Sequence, residues 1–162
     1  MRQNNGKIYI LYYIRLFCRI GMEEEMNALI NALGLTFSQQ GLKYAVAGDN
    51  QEAIVIMQKM KEAPVTLKIL FVVAEDNKSM SIKFYNLYHV ERVTEKLILK
   101  VNELNKIYRW VKLTIEDTDV VMSMDHMVNE TNIGRLAIEL ALIGVQMGDL
   151  MYKEIDAMYE KK

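Results

Sequence analysis

Few side chains in this chain are of the types that carry out catalysis or bind metals, and their spacing matches no such site. His89 and His126 lie at the ends of predicted strands without other ligands at metal-binding spacing, so we expect both to be structural or surface residues. Asp117 and Asp119 belong to a predicted hairpin tip, where aspartate favours the turn geometry. That segment supplies too few oxygen ligands for Ca²⁺ or Mg²⁺. The sequence therefore predicts no metal site.

Motifs that hold phosphates or activate nucleophiles are also missing from the sequence. The eight glycines form neither GxGxxG nor GxxxxGK, and no serine lies in a nucleophile elbow. The single cysteine, Cys18, excludes an internal disulfide and cannot form a cysteine-based zinc site. We therefore expect a non-enzymatic protein with no catalytic residues and no cofactor.

Two asparagines, Asn102 and Asn105, lie three residues apart inside a predicted helix. Asparagine is a poor helix former at interior positions, so a specific reason for its presence is expected. The two residues flank the apolar positions Val101 and Leu104, and their side chains occupy neighbouring places along the helix. We predict that they are structural, with at least one satisfying a backbone group of a loop or strand end. We do not expect them to form a binding site.

This helix and the hairpin after it, from Glu91 to Val128, are the best-defined elements of the sequence. The apolar positions of the helix recur every three or four residues, at Val93, Leu97, Val101, Leu104 and Tyr108. From Val111 to Glu116 apolar and polar residues alternate, as in a strand with one buried face. The turn Asp117–Asp119 then leads into a second strand.

The elements before this stretch are predicted from the same patterns. A helix that begins at Met22 carries Met26, Leu29, Ile30 and Leu33 on its apolar face and ends at Gly34. Runs of apolar and β-branched residues predict strands at 42–47, 53–57, 65–74 and 80–84, with a helix over 51–61 as an alternative to the second.

A long helix from about Asn132 to Tyr159 completes the order. Its polar stripe includes Asp149, and its small residues form a second stripe at Gly134, Ala137, Ala141, Gly144 and Gly148. We expect the small face to lie on the protein's own sheet, with a partner helix or peptide as the alternative. The order α-β-β-β(-β)-α-β-β-α predicts the α+β class, an antiparallel sheet flanked by helices.

Length and charge restrict the class of protein further. A chain of 162 residues suits one domain, and a formal net charge of −1 offers no basic field for a nucleic-acid backbone. The longest uncharged apolar run near the N-terminus, Ile8 to Ile14, is shorter than the roughly 20 residues of a membrane span. We expect a cytoplasmic protein with no nucleic-acid partner and no membrane span.

Residues 1–21 differ in character from the domain predicted at 22–162. One interpretation is a strand or short helix packed on the domain. The other is that translation naturally starts at Met22, where Glu23 to Glu25 complement the dipole of a first helical turn. On the second interpretation, a chain that starts at Met22 is expected to fold as stably as the full chain.

The helix carrying Asn102-Glu103-Leu104-Asn105, followed by a two-strand hairpin and a terminal amphipathic helix, resembles the YbjN-like family. This family shares the fold of type III secretion chaperones, and the resemblance covers roughly 22–159. It implies a small dimeric α+β protein whose relatives are described as regulators of sensory transduction or as secretion chaperones. It implies no catalytic residues.

These observations lead to one functional expectation and one alternative. We expect a homodimeric interaction module that binds a protein or peptide partner, chaperone-like or regulatory in function. Its candidate partner or dimer interface is formed by Val101, Leu104, Tyr108 and Trp110, since tryptophan is enriched at interface anchors. The alternative is a small-molecule sensing domain with a pocket between the sheet and the terminal helix.

Overall fold

The computed structural model describes residues 27–160, where six strands and three helices follow one another in the predicted order. In chain order these are α1 (Ala28–Gln39), β1 (Tyr44–Ala47), β2 (Ala53–Lys59), β3 (Thr66–Val73), β4 (Ser79–His89), α2 (Glu95–Ile107), β5 (Lys112–Glu116), β6 (Asp119–Met127) and α3 (Ile133–Glu160). The predicted α+β class is confirmed, with four strands before α2. The segment read as either strand or helix is the strand β2.

The six strands form one sheet in the order β1-β2-β3-β4-β6-β5, and every neighbouring pair is antiparallel. Side chains alternate between the two faces along each strand, and directly paired residues share a face. One row of paired residues crosses the sheet on the buried side: Ile56, Ile69, Phe84, Met122 and Leu113. We call this side the inner face and the opposite side the outer face.

The inner face and the three described helices share one hydrophobic core. The apolar stripe of α2, predicted from its spacing, is buried there at Leu97, Val101 and Leu104. The small stripe of α3 also faces the core, because a Cβ atom on Gly144 would lie 2.0 Å from the ring of Phe84. The expectation that this stripe packs on the protein's own sheet is confirmed at Gly144 and Gly148, whereas Gly134 packs against Thr36 of α1.

Helix α1 differs from its prediction at both ends, since Asn27 has a non-helical ψ of 131° and interrupts the helix predicted from Met22. It begins after Asn27, whose side chain accepts a hydrogen bond from the backbone N–H of Leu29, and it continues past Gly34 to Gln39. The predicted end at Gly34 is therefore wrong. A Cβ atom at Gly34 would lie 2.8 Å from the hydroxyl of Tyr44, so this glycine allows β1 to approach the helix. The chain reverses instead at Gly41, which has a φ of 69°.

Two expectations concern the membrane and the N-terminus. No helix within 27–160 is long and apolar enough to cross a membrane. The predicted leader at 1–21, and the start of the helix predicted from Met22, lie outside the described residues.

Candidate functional site

The junction between α2 and β5 contains most of the residues predicted to be functional. Helix α2 starts at Thr94, whose side chain accepts a hydrogen bond from the backbone N–H of Leu97. It ends at Ile107, and a turn then leads into β5 at the edge of the sheet. This tight connection holds the last turn of α2 against the strand that follows it.

Asn105 closes the free edge of β5 at one position. Its Nδ2 atom donates to the carbonyl oxygen of Leu113 at 2.9 Å, and the N–H of Leu113 donates to its Oδ1 atom at 2.7 Å. The side-chain amide thus occupies the place that the peptide group of a further strand would take. The side chain of Asn102 is exposed instead and makes no hydrogen bond with any residue in 27–160. The two asparagines therefore do different things, and only Asn105 joins helix to sheet.

We expect Asn105→Ala to lower the free energy of unfolding by about 1–3 kcal/mol, because the two edge groups of Leu113 lose their partner. Asn102→Ala is the matched control on the same helix, and it should leave stability within about 0.5 kcal/mol of wild type. Urea unfolding followed by circular dichroism measures both. Equal midpoints for Asn105→Ala and wild type would contradict a structural role for this amide.

The four predicted interface residues separate into two groups. Val101 and Leu104 are 5% and 1% exposed and belong to the core, so their assignment to an interface is wrong. Tyr108 is half-buried and packs against the same core. Trp110 is 89% exposed in the turn after α2. The apolar stripe of α2 already packs within the chain, so it is not free to bind a second molecule.

Other apolar side chains of α2 face solvent together with Trp110. Ile98, Leu99 and Ile107 are all exposed, although the stripe of α2 that points at the core is complete without them. Most exposed positions on a helix of this length carry polar residues. We call Ile98, Leu99, Ile107 and Trp110 the α2 surface.

A second candidate site is a cleft of about 440 Å³ between the sheet and α3. It forms beside an irregularity in β4, where the register with β6 shifts between Phe84 and Tyr88 and where Asn86 has a φ of 63°. Its lining residues are Val65, Asn86, Leu87, Tyr88, His89, Asp119 and Tyr152. The cleft lies where the alternative prediction placed a pocket.

The polar groups of this cleft are engaged with one another. The hydroxyl of Tyr88 donates to Asp156 at 2.8 Å, and its ring lies 5.1 Å from that of Tyr152. Burial, and then the hydrogen bond to Asp156, raise the pKa of the Tyr88 hydroxyl above its ordinary value, so this group is a donor at neutral pH. His89 pairs with Asp119 at 2.7 Å in an exposed position. The arrangement offers aromatic surfaces rather than a nucleophile and its base.

The residues that line this cleft were not predicted, although a pocket between the sheet and the terminal helix was the alternative expectation. Its one visible signal is the spacing of Tyr152, Asp156 and Tyr159, which places all three on one side of α3. Their partner Tyr88 is far away in sequence, and its position depends on the irregularity in β4.

Asp149 is the only buried charged residue among those described, with 8% of its surface exposed. Its carboxylate accepts three hydrogen bonds from successive backbone N–H groups between β2 and β3, those of Lys61, Glu62 and Ala63, at 2.9–3.2 Å. Asp149 belongs to the polar stripe predicted for α3, but its burial against this loop was not predicted. Because these three hydrogen bonds hold the loop between β2 and β3, Asp149 has a structural role.

Within 27–160, no group of three or more histidine, cysteine, aspartate or glutamate side chains could hold a metal ion. Comparison with family models, with curated proteins and with solved structures finds no match for this chain. The resemblance to the YbjN-like family therefore stays a prediction.

Proposed function

We propose that this chain is a non-enzymatic protein-interaction module that acts as a homodimer, with a chaperone-like or regulatory role. The observation that carries the proposal is the exposure of Trp110, at 89%, together with the exposure of further apolar residues of α2. Burying a tryptophan removes roughly 150–250 Å² from water, and tryptophan is enriched among residues that dominate binding energy. Such a side chain left in solvent is best explained by a surface that binds another protein.

The proposed contact between two copies is made by side chains and not by pairing of their β5 strands. Asn105 already occupies the edge groups of Leu113, so pairing of β5 with a strand of a second copy would have to displace this amide. The α2 surface needs no such rearrangement. Burial of each of its large apolar side chains contributes about 1.5–3 kcal/mol.

Charge along α2 favours an antiparallel arrangement of two copies. The helix carries Glu95 in its first turn and Lys106 in its last turn. A two-fold axis near the exposed Asn102 would bring Glu95 of each helix beside Lys106 of its copy. The same patch on both copies then forms the whole interface.

We expect the wild-type protein to sediment as a dimer at micromolar concentration and Trp110→Ala to dissociate into monomers. Each dimer loses two anchors, each worth about 2 kcal/mol, so the dissociation constant should rise close to a thousandfold. Leu35→Ala is the matched control, because Leu35 is a large exposed apolar residue on α1 and is not part of the α2 surface. Analytical ultracentrifugation over a concentration series measures all three. A wild type that stays monomeric would contradict the homodimer.

A small-molecule sensor is the second candidate, and the cleft between β4 and α3 is the observation that favours it. Its volume of about 440 Å³ lies in the range of ligand pockets, roughly 300–1,000 Å³. Thermal-shift screening of a metabolite library against wild type and Tyr152→Ala tests this function. A compound that raises the melting temperature of wild type but not of the variant supports a sensor. The absence of any such compound favours the interaction module.

A further inference from the structure

The outer face of the sheet carries an apolar region that is separate from the core. Val55, Leu70 and Val72 are half-buried by their neighbours on adjacent strands, and none of them belongs to the core cluster. Val55 pairs directly with Leu70, while Met57 is exposed one position further along the same face. The three described helices bury their apolar residues on the inner side, so they leave this region uncovered.

Four lysines cross the same face in a diagonal line beside the apolar region. Lys112 and Lys83 lie in one row, since both pair with Ser123 on the strand between them. Lys68 lies one row further along on β3, and Lys59 lies one row beyond that on β2. Strand spacing and residue rise place successive lysines roughly 8–10 Å apart.

Most of the positive charge on this line is not neutralised within the described chain. Lys59 and Lys112 make no ion pair with any residue in 27–160, and the ammonium of Lys68 lies over the ring of Tyr85. Lys83 is 3.8 Å from Glu116. Two carboxylates lie on the same face, Glu116 beside Lys83 and Asp125 in the row of Val72 with Ser81 between them. The unneutralised positive charge beside the apolar region therefore comes from Lys59 and Lys68, which make no ion pair within 27–160.

We propose that the outer face binds an acidic amphipathic α-helix of a partner protein. The apolar side of that helix would cover Val55, Leu70 and Val72, and its carboxylates would lie along Lys59, Lys68 and Lys83. This proposal rests on the proposed function as an interaction module, and it assigns the partner to a surface different from the α2 surface.

The secondary structure of the partner follows from the hydrogen bonds of the sheet. Strands β2, β3 and β4 each pair with a neighbour on both sides, so their backbone groups are not available to a segment lying on the face. An extended segment placed there would leave its own N–H and C=O groups unpaired against an apolar surface. A helix satisfies these groups internally. A second copy of this chain fits less well, because two identical faces would bring their lysine lines together.

A synthetic helical peptide of about 18 residues provides the probe, with leucines on one stripe and glutamates beside it. Two controls accompany it, a scrambled peptide of the same composition and a peptide with lysine in place of every glutamate. Fluorescence anisotropy of the labelled peptides against the full-length protein measures binding. We expect the acidic amphipathic peptide to bind at least about tenfold more tightly than either control, and its affinity to fall as salt is added.

Reversing the charge of lysines on the outer face tests whether the peptide binds there. The double variant Lys59→Glu with Lys68→Glu should weaken binding of the acidic peptide about tenfold or more. Lys61→Glu is the matched control, because Lys61 is exposed in the loop held by Asp149 and is not on β2 or β3. Melting temperatures of the variants verify that they fold. Amide shifts measured by NMR should concentrate on β2 and β3 when the peptide is added.

Several results would overturn the proposal. Equal affinity for the amphipathic and scrambled peptides would do so, as would unchanged binding to the double variant. If the amide shifts fall on the α2 surface instead, the peptide binds at that surface. If a duplex oligonucleotide displaces the peptide, the lysines form a nucleic-acid site. The variant Trp110→Ala distinguishes this proposal from the homodimer, because Trp110 belongs to the α2 surface and not to the outer face. A monomeric wild type that binds the peptide through Lys59 and Lys68 removes the homodimer and leaves the outer face standing.

Discussion

Replacing Asp149 with alanine is expected to lower the free energy of unfolding by about 3 kcal/mol or more. The carboxylate is buried and accepts hydrogen bonds from three successive backbone N–H groups, those of Lys61, Glu62 and Ala63. Each donor left unpaired costs about 1–3 kcal/mol, reduced where water can reach it. Ala63 is itself buried, so solvent replaces its lost partner least well. Urea unfolding of the variant measures the loss.

Two further substitutions make this test specific. Asp149→Asn keeps a carbonyl oxygen at the site and should fall between wild type and Asp149→Ala. Asp156→Ala removes another carboxylate of the same helix, one that accepts a single hydrogen bond from Tyr88, and should cost only about 1 kcal/mol. If Asp149→Ala is no less stable than Asp156→Ala, the loop between β2 and β3 does not depend on this carboxylate.

Alanine substitutions at Gly144 and Gly148 are expected to have opposite effects on stability. A Cβ atom at position 144 would lie 2.0 Å from the ring of Phe84, a fully buried side chain, so the helix or the ring must move. Overpacking of this kind costs about 1–3 kcal/mol, and more when the obstacle is rigid. At position 148 the nearest atoms are side-chain methyl carbons at 3.3–3.6 Å, and only the flexible end of Met60 must shift slightly to admit an alanine.

The helix propensity of alanine acts equally at both positions, since it exceeds that of glycine by about 1 kcal/mol in a helix interior. Gly148→Ala should therefore be neutral or raise stability by up to about 1 kcal/mol, while Gly144→Ala should lower it despite this gain. Thermal unfolding of both variants gives the comparison. Two variants of equal stability would show that α3 does not approach the sheet closely at Gly144.

The sequence predicted the order of elements correctly because periodicity is a local property. Alternation from Val111 to Glu116 and three-to-four spacing along α2 each report which side of one element is apolar. A local pattern can still be misinterpreted, as at Gly34. A glycine near the end of an apolar helical pattern usually marks a C-terminus, but here it makes room for Tyr44.

Predictions about single residues succeeded or failed according to the distance of their partners in sequence. Asn105 reaches Leu113, eight positions away, within the same helix–strand connection that the sequence had identified. Asp149 reaches Lys61, Glu62 and Ala63 across 86–88 positions, and the helical spacing predicts only that it belongs to a polar stripe. Nothing in the pattern of α3 distinguishes a carboxylate in water from one that meets a loop of another element.

The same difference between sequence and tertiary structure applies to the candidate interface. From sequence alone, Val101, Leu104 and Trp110 are apolar residues of one segment, and all three appeared equally suited to an interface. Tertiary packing separated them, because α2 must bury one stripe against β5 and α3 to remain folded, which leaves only Trp110 in solvent.

The outer face depends still more on tertiary structure. Alternation within β2, β3, β4 and β5 puts each of Lys59, Lys68, Lys83 and Lys112 on one side of its own strand. Strand order and register decide that these four sides are the same side, and that the lysines lie along one line. Order and register arise from contacts between distant segments. The sequence therefore predicts which residues share one side of a single strand. Only the tertiary structure decides which of these sides together form one surface.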